Sequence, residues 1–461
     1  MRRDKMQPGE PGGLVRSLGT TGVLLLTLSV ATPASSVFVI VPGMFQIAGT
    51  GALWALLIAG VVCVATAFIY AELSSAFPVV GGEYVMVAQT LGPMAGFVML
   101  GINVFNNLIF LPVAGLGVSE VLGSVLPGLP ARGTALAVVG GCTLVGILNI
   151  RINAWITGIF LALEVAALVA VSAFGLFGAE RGAGAFLTEP VVAQAAALIP
   201  ADWTAIGVAA TIAIFALNGY GAAVYFGEEM HEAPRRIARA IMWALVATLL
   251  LEGIPIVAAL MGAADLRAML ASGNPFGELV AQRGGPDAAR WVSIIVALAI
   301  VNAIIAWVLA CARFFYGTAR DGTWGRPIDR WLLAIHPRFG SPWLGTLIIG
   351  AVGMALCFLP LRLLEVWSGT GLIAIYAGIA WAVVRGRRTG ATAHAPYRMP
   401  WWPAAPIVTA IALVGITWTN LLDPVDGQPA LIATGVQIVG FALYYRLVLR
   451  RRGWAVVIPK T

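Results

Sequence analysis

Apolar runs long enough to cross a bilayer recur along the whole chain and leave it little choice of fold. A membrane-crossing helix needs about 20 mostly apolar residues. Runs of that length lie near 20–42, 52–77, 91–122, 133–150, 154–178, 203–227, 237–262, 289–318, 342–361, 364–385, 403–422 and 430–449, which makes twelve spans. Apolar residues make up 60% of the chain and charged residues 11%, against roughly 45–50% and 25% in soluble domains. Such a chain cannot hide its apolar surface from water by folding on itself, so lipid is its solvent. The expected fold is an all-α integral membrane protein.

The net charge of +7 does not signal nucleic acid, because the basic residues are dispersed among the spans rather than gathered in one patch. Cys63, Cys142, Cys311 and Cys357 fall inside apolar spans without paired spacing. They read as small buried hydrophobes, not metal ligands or disulfide partners. His231, His336 and His394 sit in polar connectors. No cofactor or metal is expected, and no nucleotide-binding loop or Ser/His/Asp set marks an enzyme. The first apolar run is too long for a cleavable signal peptide. Of the 28 Lys and Arg, only Arg132, Arg181, Arg267, Arg283, Arg290 and Arg362 fall outside if the N-terminus is inside. That bias, kept through every alternation, places both termini in the cytoplasm and the chain in the cytoplasmic (inner) membrane.

The first span is poorly suited to an unbroken helix. Its centre, Ser29 to Gly43, reads S-V-A-T-P-A-S-S-V-F-V-I-V-P-G. Pro33 lacks a backbone N–H and clashes with the carbonyl four residues back. Around it stand Thr32, Ala34, Ser35 and Ser36, small and mostly polar. In lipid, irregular backbone is tolerated only where protein buries it or a cavity wets it. Two readings follow: a discontinuous helix whose gap holds a ligand, or a proline kink patched by hydroxyls. Span 6 carries a second interruption, Asn218-Gly219-Tyr220-Gly221. Each interrupted span is the first of five, and matching interruptions in two halves point to a binding site between inverted repeats. The chain then divides into a tail (1–19), a five-span repeat (20–178), a second repeat (203–385), two additional spans (403–449) and a tail (450–461).

Four stretches carry a family resemblance. Tyr70 to Val85 reads Y-A-E-L-S-S-A-F-P-V-V-G-G-E-Y-V. Phe215 leads through G-Y to G-E-E-M-H-E-A-P-R-R, ending at Arg236. Arg313 to Gly322 reads R-F-F-Y-G-T-A-R-D-G, and Tyr397 to Ile407 reads Y-R-M-P-W-W-P-A-A-P-I. In this order they resemble the amino acid–polyamine–organocation permease superfamily over about residues 20 to 450. The resemblance implies a five-plus-five inverted repeat, the leucine-transporter-like fold, with discontinuous spans 1 and 6. It also implies alternating access and an amino acid, polyamine or related organic cation as substrate. Where the family usually has a G-x-G-I-F type motif, this chain has A-S-S-V-F (Ala34 to Phe38), without the glycines whose bare backbone lets a carboxylate approach. Where several relatives have a lysine in span 5, this chain has Glu164.

The expected function is secondary transport of an amino acid, coupled to a proton or sodium or working by exchange. A polyamine or other amine carrier is the alternative, and a sensor or channel would need an output domain or a selectivity filter. Backbone at Thr32 and Ala34, with the hydroxyls of Ser35 and Ser36, can grip a zwitterion; the serines can instead bond back to the preceding turn. Carbonyls near Phe215 to Leu217 would face an ammonium and Asn218 would orient it, with Gly219 weakening the helix there and Tyr220 binding, packing or gating. Asn103, Asn107, Trp307 and Ser368 either line the pocket or join helices. Glu164 lies near mid-membrane, where an ionisable group usually marks a pathway or a paired site. It either couples an ion or hydrogen-bonds a neighbouring helix. Glu72, Glu228 and Glu229, near water at span ends, are expected to pair with arginines of the inside connectors, exposed and weak. The topology has a direct test. In a cysteine-free background, single cysteines at Gly390 and Arg452 should resist a membrane-impermeant thiol reagent in intact cells, and one at Gly273 should react. External labelling at position 452 would overturn the span count.

Overall fold

The computed structural model describes residues 19–457 apart from 80, 124, 125, 127, 149, 195 and 196; the side chains of residues 150–159 and of Glu228 and Glu229 also lie outside what it describes. A helix occupies each of the twelve apolar runs. In chain order they are α1 (Thr20–Ala31), α2 (33–48), α3 (Ala52–Ala76), α4 (Pro93–Gly123), α5 (Ala131–Gly146), α6 (Ile150–Phe177), α7 (Trp203–Ala216), α8 (Ala233–Gly262), α9 (Pro275–Arg320), α10 (Trp343–Leu356), α11 (Leu361–Thr389), α12 (Ala404–Leu422) and α13 (Gly427–Tyr444). Among the described residues nine helical stretches are long and apolar enough to cross a membrane, and the first, Thr20–Ala76, takes in α1, α2 and α3. Helices α5 and α10 are apolar but shorter. Between α6 and α7 lies an antiparallel hairpin, β1 (Val191–Gln194) and β2 (Ala197–Pro200), with Val191 opposite Pro200. It qualifies the all-α expectation. Helix α9 begins earlier than its apolar run because Gly285, at φ 84° just before Pro286, joins two helices across a kink.

The enclosed helices are α4 and α7, whereas α12 and α13 are mostly exposed. Helix α8 packs on α1, α3 and α6, and α7 packs on α2, α3 and α11. Outward-facing side chains include Trp243, Leu250, Trp291, Ile411, Val414 and Val436, each more than half exposed. A surface of this kind needs an apolar solvent.

Both expected interruptions are present, and they touch. Thr32 takes a left-handed conformation (φ 48°, ψ 64°) between α1 and α2. Beyond it α2 opens into a π-helical stretch over Ser36–Ile40 before tightening again. Helix α7 ends at Ala216, Gly219 adopts φ 114°, and 3₁₀ turns continue over Tyr220–Glu229. Gly219 lies so close to the end of α1 that a Cβ on it would run into the Cα of Ala31. Position 219 is therefore doubly reserved for glycine, by its dihedral and by the backbone it meets. Gly219→Ala should cost at least about 1–3 kcal/mol through strain and overpacking, read as a lower thermal-unfolding midpoint of the purified protein. An unchanged midpoint would show that the two breaks are not packed together.

Candidate functional site

A helix interrupted inside an apolar bundle frees backbone groups that must find partners. At the α1–α2 break the N–H of Thr32 donates to the carbonyl of Leu28, and the N–H of Ser36 to the carbonyl of Thr32. Pro33 has no N–H to offer. The N–H of Ala34 donates to Oε1 of Glu164 at 2.7 Å. Glu164, on α6 and 2% exposed, therefore caps the N-terminus of α2, where the helix dipole favours a negative charge. The Ser36 hydroxyl donates across to the carbonyl of Ala216, freed by the end of α7, at 2.9 Å. The hydroxyls of Thr32 and Ser35 are buried without a hydrogen-bond partner.

On the α7 side, Leu217 N–H donates to the carbonyl of Ala213 and Asn218 N–H to that of Phe215. Phe215, Leu217, Gly219 and Tyr220 are buried, and Asn218 is partly exposed. The Tyr220 hydroxyl meets Thr66 Oγ1 at 2.6 Å and donates to the Tyr376 hydroxyl at 3.1 Å. Tyr376 donates in turn to Asn218 Oδ1 at 3.4 Å. Tyr70 sets its ring edge-on to both tyrosines and donates to Glu83 Oε1.

The more distant candidates join helices. Asn103 Nδ2 and the Tyr225 hydroxyl both donate to Glu83 Oε2. Asn107 donates to the Asn103 carbonyl on its own helix and accepts the Trp307 indole N–H at 2.7 Å through its carbonyl. Trp307 also packs on Phe110. Ser368 donates to Asn106 Oδ1. None of these polar contacts is with a residue of the breaks.

Three buried glutamates stand outside the sequence expectation. Glu83 is the hub just described. Glu252 on α8 is fully buried with neither carboxylate oxygen hydrogen-bonded, and Glu365 on α11 is 2% exposed with Oε1 unpartnered. Glu365 Oε2 lies against Gly43, where a Cβ would collide with it. The signal for Glu252 and Glu365 was a carboxylate inside an apolar run. Two apolar grooves of about 720 and 740 Å³ lie elsewhere, the first lined by residues including Leu57, Val61 and Trp401, the second by Trp381, Val414 and Trp418.

A family model described as amino acid permease matches residues 18–448. The chain belongs to the amino acid permease family. It is 28% identical to an uncharacterised transporter of Mycobacterium tuberculosis, over 98% of this chain and 96% of the relative. It is 25% identical to the methylthioribose transporter of Bacillus subtilis, covering 89% and 91%. It is 24% identical to a branched-chain amino acid permease of Lactococcus lactis, covering 93% and 94%. With these apolar helices, membership makes the chain a multi-pass membrane protein and a transporter.

At one end of the permease α3 and α11 are clasped together. Arg387 makes a two-pronged contact with Glu72, at 2.7 and 2.5 Å. The expected pairing of Glu72 with an arginine is present, but it is not exposed. Glu72 is fully buried and the Arg387 side chain only 15% accessible. The connector after α11 folds over the pair, so that Met399 N–H donates to Glu72 and the Trp402 ring covers the guanidinium at 4.2 Å. Removing one partner of a buried pair strands the other charge. Arg387→Ala should therefore destabilise the permease by about 3–5 kcal/mol. Arg236→Ala, which breaks an exposed pair with Glu232, should change stability by only about 0–1 kcal/mol. Thermal unfolding of both variants checks the contrast.

Proposed function

We propose that this permease is a secondary active transporter carrying an amine-bearing solute, an amino acid in the first instance, across the cytoplasmic membrane by alternating access. The observation that carries this reading is the contact between the two interrupted helices, with Gly219 against Ala31 and Ser36 bonded to the Ala216 carbonyl. Broken backbone at the centre of an apolar bundle is tolerated only where protein buries it or a cavity wets it, and matching breaks in two halves point to a ligand site between them. In this reading α1–α2 and α7 with its 3₁₀ turns open the two halves of a five-plus-five inverted repeat. All twelve apolar runs cross the membrane, the first as α1 with α2, both termini lie inside, and the apolar outer faces meet lipid. The substrate sits at Thr32 to Ser36 and Phe215 to Tyr220. The name of the Lactococcus relative supports an amino acid. The bond from Ala34 to Glu164 favours a second reading, an amine without a carboxylate.

Glu164 couples transport to a proton or sodium gradient. As a carboxylate it caps α2, a contribution of about 0.3–1 kcal/mol at an exposed helix end and up to about 2 kcal/mol when partly buried. A bound proton or cation cancels that charge, weakens the cap and frees α2 to reorient against α6. Proteoliposomes should accumulate a radiolabelled amino acid or amine against its gradient when a pH or sodium gradient is imposed. Glu164→Gln should abolish accumulation while sparing substrate exchange. Wild-type gradient dependence in Glu164→Gln would remove the coupling role.

A further inference from the structure

The two apolar grooves differ at one end. The second runs between α11 and α12, from Ile373 to Arg388 on one helix and from Leu421 to Pro406 on the other. A separation of 15 residues on each helix, at about 1.5 Å per residue, makes it about 22 Å long. That is more than half of a hydrocarbon core of about 30 Å. Its walls carry Trp381 and Trp418, each more than half exposed. Its inner mouth is basic. Arg385 and Arg388 line it, and no Asp or Glu does. The first groove has no charged residue on its walls. From Arg385 to Pro403 the chain carries four arginines and no acidic residue. Arg387 is spent on Glu72, and Arg398 donates to the Ala393 carbonyl. Arg385 and Arg388 are exposed and have no ion pair among the described residues. In the second turn of α12 the Thr409 hydroxyl lines the same groove, buried and without a hydrogen-bond partner. The inward bias of arginine accounts for the charge at this end. It does not account for two free arginines at the mouth of a mostly apolar groove.

We propose that this groove binds a phospholipid with an anionic headgroup, its phosphate held by Arg385 and Arg388 and one acyl chain lying between α11 and α12. The Thr409 hydroxyl donates to an ester carbonyl below the phosphate. Arginine offers a phosphate paired N–H donors as well as charge, and basic pockets between helices on the cytoplasmic side suit such headgroups. With both termini inside, as proposed above, the lipid belongs to the cytoplasmic leaflet. A second copy of the chain fits the groove less well. A two-fold axis along the membrane normal would set this face against itself, bringing four free arginines together with no acid between them.

The test is lipid binding by the purified full-length protein, stripped of lipid in detergent and titrated with phosphatidylglycerol or phosphatidylethanolamine of identical chains. Native mass spectrometry counts the molecules bound. Phosphatidylglycerol should bind at least about tenfold more tightly, a difference worth ~1.4 kcal/mol. Arg385→Gln/Arg388→Gln should erase that preference. Arg235→Gln/Arg239→Gln, which removes equal charge from exposed positions of another inside connector, should keep it. Ala410→Trp, which fills the groove at an exposed position without changing its charge, should lose the lipid. Val61→Trp in the first groove should retain it. The headgroup comparison uses the wild-type protein, so it stands even if a variant fails to fold. Equal binding of the two lipids, a preference that survives Arg385→Gln/Arg388→Gln, or phosphatidylglycerol retained by folded Ala410→Trp overturns the proposal. So does loss of the preference in Arg235→Gln/Arg239→Gln, which would make it a property of overall surface charge. A lipid-free dimer that dissociates with Ala410→Trp would give the groove to a second copy instead. None of these readouts measures transport, so their failure leaves the transporter reading intact.

Discussion

An interrupted helix in apolar surroundings releases N–H and C=O groups that water cannot reach, and the rest of this structure is arranged to receive them. Ser36 supplies a hydroxyl to the carbonyl at the end of α7, and Glu164 supplies a carboxylate to the first free N–H of α2. Each is delivered by a different helix, so the two breaks fix how α2, α6 and α7 stand toward one another. The glycine at 219 follows from the same constraint. Only a residue without a Cβ lets the backbone of the second break close on that of the first.

The lower stretches of the network extend this arrangement without adding to the break itself. From Asn218 a run of hydroxyls passes through Tyr376 and Tyr220 to Thr66. Tyr70 and Glu83 then tie the same region to α4 through Asn103. Glu83 accepts from three side chains on three segments, Tyr70, Asn103 and Tyr225. A satisfied buried carboxylate of that kind specifies one arrangement of its neighbours. Glu252 presents the opposite case, a buried carboxyl group with neither oxygen hydrogen-bonded.

Much of this was legible in the sequence because lipid dictates element length and forbids open backbone. The twelve apolar runs mark the helices for that reason, and Pro33 and the Asn218–Gly221 segment mark the breaks. The hairpin at 191–200 was not legible, because V-V-A-Q and A-L-I-P are too short to separate from the apolar runs around them. Glu252 and Glu365 were within reach, since a carboxylate in an apolar run is a signal in itself. What no pattern carried was the pairing. Ala34 and Glu164 are 130 residues apart, and only the packing of α6 beside the start of α2 brings them together. Glu72 shows the same limit. Its place at a helix end suggests exposure, and only the folding of the later connector over it makes it buried.

That burial has a consequence for how the clasped end comes apart. Glu72 and Arg387 meet under Met399 and Trp402, with Glu72 fully buried and Arg387 mostly so. Drawing α3 away from α11 in the dry state would strand two bare charges, a loss no neighbouring group makes good. Once water enters, each charge gains a hydration shell and the loss largely disappears. The first molecules admitted thus lower the cost of admitting the next. If the two helices part at this end, hydration of Glu72 and Arg387 would have to replace their pairing, so wetting and separation would go together.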